Sequence, residues 1–528
     1  MTEPIPFKLT YGTMFNPPQE LHDQFDVALA ELKQHMGKEY PMVIGGEERY
    51  AADKHQAFSP INKNWHLATF QKGTAQDAND AVAAAKAAFP AWSRMNWEER
   101  VYLMRKFAER VDARLFEIGA VVSLEVGKNR MESLGDVAEM ADLVRWGCDM
   151  MEQNHGYARA MGTDPLTGFV STNESVLKPY GVWLVISPFN FPASLSGGPA
   201  GNALIAGNTV VIKPATDTSW TSAFIMECMR EAGVPDGVIN FVTGPGSTLG
   251  NALTDNPDVA GVTFTGSLEV GMGIFRRFAQ GNYVRPTILE MGGKNPTIVS
   301  RNADIEDAAI GIVRSAFGLQ GQKCSACSRV FIERPVYQQL VERMTDLTNK
   351  LSVGDPTARE NYMGPVINRK AYKDYLGFVD ELSQAGTILA GGRHLTDGEL
   401  ANGYYCAPTL VADVPLSQRL WREEMFLPIL MVTAVDSLEE AMKYANDVDY
   451  GLTAGFFGSP DEAEWFLDHI EAGTVYTNRP QGATTGAWPG FQPFGGWKGS
   501  GSTGKNGGGY YYLPFYMHEQ NRTRVRRM

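Results

Sequence analysis

The sequence predicts an α/β protein with two parallel-sheet lobes, and three observations carry that expectation. The chain has 528 residues, too many for one small core. Between Gly181 and Ser267, the short β-branched runs "GVWLVIS", "TVVIKP", "VINFVTG" and "GVTFTGS" alternate with helical stretches. A second series, "PTIVS", "SRVFIE", "LPILMVTAV" and "TVYTNR", repeats the alternation beyond residue 290. Apolar strands separated by helices are the pattern of βαβ units, whose parallel sheets are covered on both faces. The two lobes are expected to meet near residue 290.

Taken in order, the first 40 residues lack clear periodicity apart from a short helix expected around Leu21 to Gln34. From Thr74 to about Gln153 the pattern is helical. "TAQD" offers a hydroxyl cap with an acid three residues later, and apolar residues then recur at spacings of three and four. "GFVSTNESVLKPYG" reads as an extended ribbon ahead of the first strand series. At the other end, "GYYYLPFYM" reads as an apolar, aromatic strand, and the basic "NRTRVRRM" after it as a short solvated tail. An exposed aromatic strand is a liability unless it pairs, so a partner subunit is expected there.

Composition narrows the function classes. Hydrophobic residues make up 44% and charged residues 20%, ordinary values for a soluble globular protein. A net charge of -13 argues against nonspecific nucleic-acid binding and against adhesion to anionic membranes. Five cysteines, Cys148, Cys228, Cys324, Cys327 and Cys406, form no disulfide framework and suit a reducing compartment. The N-terminal residues show no basic stretch followed by an apolar run, and no apolar run is long enough to span a bilayer. The expectation is a cytoplasmic enzyme.

The stretch "FGLQGQKCSACSRV" spaces two cysteines like a metal or redox pair. A structural zinc site needs four ligands, and the eight histidines form no ligand spacing. A pair of packed core cysteines would look the same as a nucleophile with a neighbour. The nucleophile reading gains from glycine and lysine just before Cys324, which suit a tight, electropositive loop that favours a thiolate. In "LEMGGKNP", Glu290 ends an apolar run, where a carboxylate can act as a base; an exposed acid at a strand end would read identically. Asn190 of "SPFNFP" could donate to an oxyanion, although asparagine beside proline is ordinary turn chemistry. Lys213 ends the strand of "VIKPA", at the sheet edge where α/β folds bind nucleotides. "TGPGSTLG" and "FTGSLEVG" can each aim backbone N–H groups at a phosphate, but each is a weak signal alone.

Together these motifs resemble the aldehyde dehydrogenase superfamily. "PFNFP", "KPA", "FTGSLEVG", "LEMGGK", "GQKCSACSR", "EEMFLPIL" and "PFGGWKGSG" stand in that family's order from about Pro41 onward. Within it, "LEVGKNRMESLGDVAE", "FGLQGQKCSACSRVFI" and "NRPQGATTGAWPGFQPFGG" look most like the branch of delta-1-pyrroline-5-carboxylate (L-glutamate gamma-semialdehyde) dehydrogenases. The chain departs from that branch in a lengthened loop before Thr484, in Met291 where threonine is common, and in its aromatic tail.

The resemblance implies an aldehyde dehydrogenase-like fold. It has a Rossmann-like NAD-binding domain from residues 1–158 and 181–289, a catalytic domain from 290–500, and a β-arm for oligomerisation from 159–180 and 501–528. It implies Cys324 as nucleophile, Glu290 as the base that activates water, and Asn190 as an oxyanion donor, with Cys327 a packed neighbour. The cofactor would be NAD, with NADP as the alternative because Thr216 stands where many relatives carry an acid. Ser187, Phe189, Lys213, Gly246, Gly266, Ser267, Glu424 and Phe426 would surround it. Ser325, Gly486 and Ala487 would anchor a substrate carboxylate, Phe494 would form an apolar wall, and Glu139 would face an ammonium group. No metal is implied.

Glu132, Asp136 and Glu139 share one helix face by spacing, which reads equally as a solvated acidic face. The function that the resemblance implies is NAD-dependent oxidation of L-glutamate gamma-semialdehyde to L-glutamate in proline catabolism, and a homodimer or larger homo-oligomer is expected. The competing readings are oxidation of another, aromatic or aliphatic, aldehyde, and a noncatalytic protein that keeps the fold.

Overall fold

The computed structural model describes residues 7–528. The N-terminal helix spans Gln19–Lys33. Four helices then fill the predicted helical block: Ala75–Arg94, Trp97–Ala113, Leu115–Val126 and Arg130–Gln153. The first begins as "TAQD" predicts. The Asp77 carboxylate accepts the Thr74 N–H at 2.8 Å, and the Thr74 hydroxyl accepts the Asp77 N–H at 3.3 Å.

Two seven-stranded sheets form the body. In the first, Thr287–Glu290, Val259–Thr265, Val182–Ile186, Thr209–Lys213 and Ile239–Phe241 lie side by side and parallel. A short hairpin, Met42–Ile44 with Glu47–Arg49, closes its edge antiparallel. Helices Ser194–Ala206 and Ser219–Glu231 are the crossovers between neighbouring strands. Ile186, Lys213, Thr265 and Glu290 therefore all stand at the carboxyl ends of parallel strands, where open α/β sheets bind ligands.

The second sheet runs in the order Thr387–Ala390, Thr409–Ala412, Ile429–Val435, Cys327–Glu333, Asn295–Val299, Thr453–Phe457 and Thr474–Thr477. All its pairings are parallel except the first. Three of these strands, Thr387–Ala390, Thr409–Ala412 and Thr453–Phe457, carry no strong signal in the sequence. They are four or five residues long and flanked by Gly or Pro, so local pattern gives way to sheet pairing. The chain crosses from one sheet to the other between Glu290 and Asn295.

A third sheet orders Met517–Arg527, Phe169–Pro179 and Ala158–Ala160. The ribbon reading of Phe169–Pro179 holds, whereas the reading of the tail needs correction. "GYYYLPFYM" is not a strand: Leu513–Tyr516 is a 3₁₀ turn with Pro514 near its start. Tyr512 and Tyr516 are buried, with their hydroxyls 2.8 Å apart, while Tyr510 and Tyr511 are exposed. The strand is the basic stretch that reads as a solvated tail. It pairs antiparallel with the ribbon from Met517↔Pro179 to Arg527↔Phe169, and the Glu174 carboxylate meets Arg524 at 2.7 Å.

Candidate active site

Cys324 lies in the turn that precedes strand Cys327–Glu333. Asn295 fixes this turn from the neighbouring strand, donating its side-chain amide to the carbonyls of Cys324 at 2.6 Å and Ala326 at 2.9 Å. The two glycines of "LEMGGK" let the backbone pass between. A Cβ on Gly293 would stand 2.5 Å from the Cys324 carbonyl, and one on Gly292 would stand 2.2 Å from Glu424 Oε2. Cys327 differs from Cys324 in access. It is fully buried, with its Sγ 3.2 Å from Thr297 Oγ1. Cys324 is partly exposed and opens into the cavities on either side.

The electropositive loop expected at Cys324 is not formed. Lys323 turns away to pair with buried Glu132. Burial, followed by the carboxylates of Glu424 and Glu290, pushes the Cys324 thiol up to about 12. The thiol of the free protein is therefore neutral at pH 7, and its proton must leave when it reacts. Glu290 lines a cavity with Cys324. Its Oε2 is buried without a partner among the described residues, and burial raises its carboxyl to about 8. Such a carboxyl can take a proton near neutral pH. Buried Asn190 donates Nδ2 to the Gln322 carbonyl at 2.9 Å, which orients the amide beside the Cys324 turn.

On one side of the thiol lies a cavity of about 670 Å³. Every cofactor candidate lines it: Ser187, Phe189, Lys213, Gly246, Gly266, Ser267, Glu424 and Phe426, together with Asn190 and Cys324. That volume suits a small organic ligand. The lining fits a dinucleotide in particular. Among the described residues, Ser187 Oγ is buried without a partner, and Lys213 Nζ is held by the Pro214 carbonyl, at 2.9 Å. A Cβ on Gly246 would meet nothing within 4 Å, so the loop faces open space there. Phe189 and Phe426 meet edge to face, with centroids 5.8 Å apart. Glu424 accepts the Gly293 N–H at 2.8 Å, and burial raises its carboxyl to about 7.

On the other side lies a small cavity lined by Glu139, Ser325, Gly486, Ala487 and Phe494, the substrate candidates, with Cys324. Gly486 adopts φ +99°, and Arg479 braces it by donating to its carbonyl at 3.2 Å. An adjoining apolar chamber holds Leu143, Leu195, Trp488 and Glu290. Trp488 Nε1 donates to Asp142 at 2.8 Å and so pins the segment just after Ala487.

The solvated acidic face is also corrected. Glu132 and Asp136 are fully buried and paired. Asp136 meets Lys128 at 3.1 Å and accepts the Ser194 N–H at 2.9 Å. Glu132 pairs with Lys323 and accepts the Leu319 N–H at 3.0 Å. That bond holds the turn before Cys324, where Leu319 and Gln320 carry φ of 46° and 55°. Glu139 faces the small cavity and accepts the Tyr11 hydroxyl at 2.7 Å. Sequence reasoning missed Tyr11, the Glu132–Lys323 pair and the bracing by Arg479. Periodicity carries no trace of contacts between residues so far apart in the chain.

A cysteine placed between a dinucleotide-sized cavity and a small polar one, with a partnerless carboxyl beside it, is the arrangement of a cofactor-dependent aldehyde oxidoreductase. The sequence pattern of the aldehyde dehydrogenase family matches residues 49–521, and the chain belongs to that family. It is 36% identical over 505 residues to 1-pyrroline-5-carboxylate dehydrogenase 1 of Halalkalibacterium halodurans, covering 94% of this chain and 95% of that one. Among solved structures, 1-pyrroline-5-carboxylate dehydrogenase from Thermus with bound NAD superposes with a TM-score of 0.91 at 33% identity, over the full length of both chains. Proline utilization A from Bdellovibrio bacteriovorus also superposes with a TM-score of 0.91 at 33% identity. The match covers 98% of this chain and 54% of that longer one.

Proposed function

We propose that this chain oxidises L-glutamate gamma-semialdehyde, the open form of delta-1-pyrroline-5-carboxylate, to L-glutamate with NAD, as a step of proline catabolism. The observation that carries this reading is the position of Cys324 between two cavities of different chemistry. One is large and lined by glycines, Lys213 and Glu424; the other is small and lined by an acid, a hydroxyl and a glycine turn. The names of the relatives point the same way.

In this mechanism the Cys324 sulfur adds to the aldehyde carbon as its proton leaves to solvent. The developing oxyanion is met by the Asn190 amide and the Cys324 N–H. The bound nicotinamide would supply the hydride acceptor as the thiohemiacetal becomes a thioester. Glu290 then takes a proton from water, which attacks the thioester carbon; the C–S bond breaks, the acid leaves, and the proton on Glu290 returns to the sulfur to restore the Cys324 thiol. Lys213 and Glu424 would hold the ribose hydroxyls, Ser187, Gly246, Gly266 and Ser267 would line the phosphate path, and Phe189 and Phe426 would pack at the cofactor. For the substrate, Ser325 and the backbone of Gly486 and Ala487 would bind the carboxylate, Phe494 the methylenes, and Glu139 the ammonium.

A panel of aldehydes assayed with NAD and NADP tests this reading. L-Glutamate gamma-semialdehyde with NAD is expected to exceed hexanal in kcat/KM by on the order of a hundredfold or more, because hexanal leaves the site's polar groups unpaired. Leu143, Leu195 and Trp488 in the adjoining chamber favour a second reading, an apolar aldehyde. Equal or better efficiency with hexanal or benzaldehyde would establish that reading and overturn the first.

We further propose that residues 1–158 and 181–289 serve as the NAD-binding domain, that 290–500 serve as the catalytic domain, and that the protein works in the cytoplasm. Residues 159–180 and 501–528 would form an arm that joins subunits. Met517–Arg527 supports this role as an exposed edge strand. Light scattering at micromolar concentration should give at least a dimer mass; a monomer mass would contradict the arm's role.

A further inference from the structure

We infer that Tyr11 is a positioning residue for the amino end of the substrate, its phenol holding the Glu139 carboxylate in place at the wall of the small cavity. The inference rests on the proposed function, and it concerns an N-terminal segment that carries no motif.

The segment around Tyr11 is anchored at both ends. Lys8 meets Asp142 at 2.7 Å on one side, and the Arg314 guanidinium lies 3.9 Å over the Phe15 ring on the other. Between them, the Thr13 hydroxyl donates to the Lys8 carbonyl at 2.6 Å and accepts the Thr10 N–H at 2.9 Å. The Tyr11 ring is then seated on three sides. It meets Trp488 and Phe191 edge on, with centroids 5.3 and 6.0 Å away. Helix Arg130–Gln153 presents Gly135 beneath it, where a Cβ would stand only 2.9 Å from Tyr11 Cε1. The hydroxyl therefore reaches one oxygen of Glu139, at 2.7 Å, at the wall of the small cavity, with Ser194 beside the same carboxylate.

The electrostatics give that bond a purpose. Around Glu139 stand Asp136 on its own helix, Lys128 ahead of that helix, Ser194 on the next one, Tyr476 on the second sheet, and Tyr11. Beyond the Tyr11 ring lie Lys323 and Glu132, already paired with each other. Burial raises Glu139 to about 7, and the Tyr11 hydrogen bond works against that rise. The Tyr11 phenol is itself held well above its ordinary range, first by burial and then by Glu139. It remains a neutral donor at any working pH. Without its hydroxyl, more of Glu139 is protonated near pH 7, and a substrate ammonium finds less charge to pair with.

The experiment compares Tyr11→Phe, which keeps the ring and loses the hydroxyl, with the unaltered enzyme on two substrates. One is L-glutamate gamma-semialdehyde. The other is 5-oxopentanoate, which has the same carboxylate and aldehyde but no ammonium. For the aminated substrate, KM is expected to rise about tenfold with kcat within about twofold, the scale of one hydrogen bond to a charged group. The acidic limb of its kcat/KM profile should move to higher pH, while both parameters for 5-oxopentanoate stay within about twofold. An equal loss for both substrates, or no change for either, would overturn the role of Tyr11 and leave the substrate assignment standing. If the unaltered enzyme does not prefer the aminated substrate, the substrate reading itself falls and this inference with it.

Discussion

Cys324→Ala is expected to lower kcat by on the order of 10⁴-fold or more, because the sulfur forms the bond through which the aldehyde is oxidised. The contrasting variant, Cys327→Ala, is expected to keep turnover within a few-fold. Cys327 is buried against Thr297, three residues along the chain but behind the site. Its truncation should cost about 1–2 kcal/mol of stability, the scale for deleting a small core group, without touching the chemistry. Steady-state rates and thermal melts of the two variants check the pair. Inactivation by Cys327→Ala with survival of Cys324→Ala would reverse the assignment and restore the paired-thiol reading of the motif.

Glu290→Gln is expected to separate the two halves of the reaction. Oxidation to the thioester does not need the attacking water, so one equivalent of reduced cofactor per site should form in a rapid burst. Steady turnover should then be slower by on the order of 10²–10³-fold, the contribution of a positioned base. The pH profile carries a second signature. Glu290 activates water only when ionised, and burial lifts its carboxyl to about 8. When deacylation limits the rate, kcat of the unaltered enzyme should therefore climb as pH rises through about 8 and level off above it. Glutamine has no proton to lose, so that limb should vanish from the variant. Stopped-flow absorbance at the reduced-cofactor band checks both, and wild-type turnover in Glu290→Gln would exclude the role.

Much of this site was legible because its residues sit where the fold's regularities place them. Lys213 and Glu290 end apolar runs, and an apolar run that stops at a charged residue is how the carboxyl end of a parallel strand reads. The glycine pair after Glu290 announces a close approach, and the structure shows what approaches: the Cys324 carbonyl and the Glu424 carboxylate. The failures are equally physical. The basic "NRTRVRRM" reads as a solvated tail because the strand it belongs to, Met517–Arg527, is stabilised by pairing with Phe169–Pro179, more than 300 residues earlier in the chain. The acids of helix Arg130–Gln153 looked like a water-facing stripe because Lys128 and Lys323, which neutralise Asp136 and Glu132, lie off that helix. Tyr11 gave no signal at all. A single aromatic in an aperiodic segment acquires its role only when folding brings it to Glu139.

The central claim is that Cys324 carries the substrate as a thioester that Glu290 releases. The most direct measurement is peptide mass spectrometry on Glu290→Gln, quenched after the burst with NAD and L-glutamate gamma-semialdehyde. The account predicts a glutamyl adduct, through the gamma carbon, on the peptide that holds Cys324, with the sulfur of Cys327 unmodified. No adduct despite a full burst of reduced cofactor, or an adduct on Cys327, would contradict it.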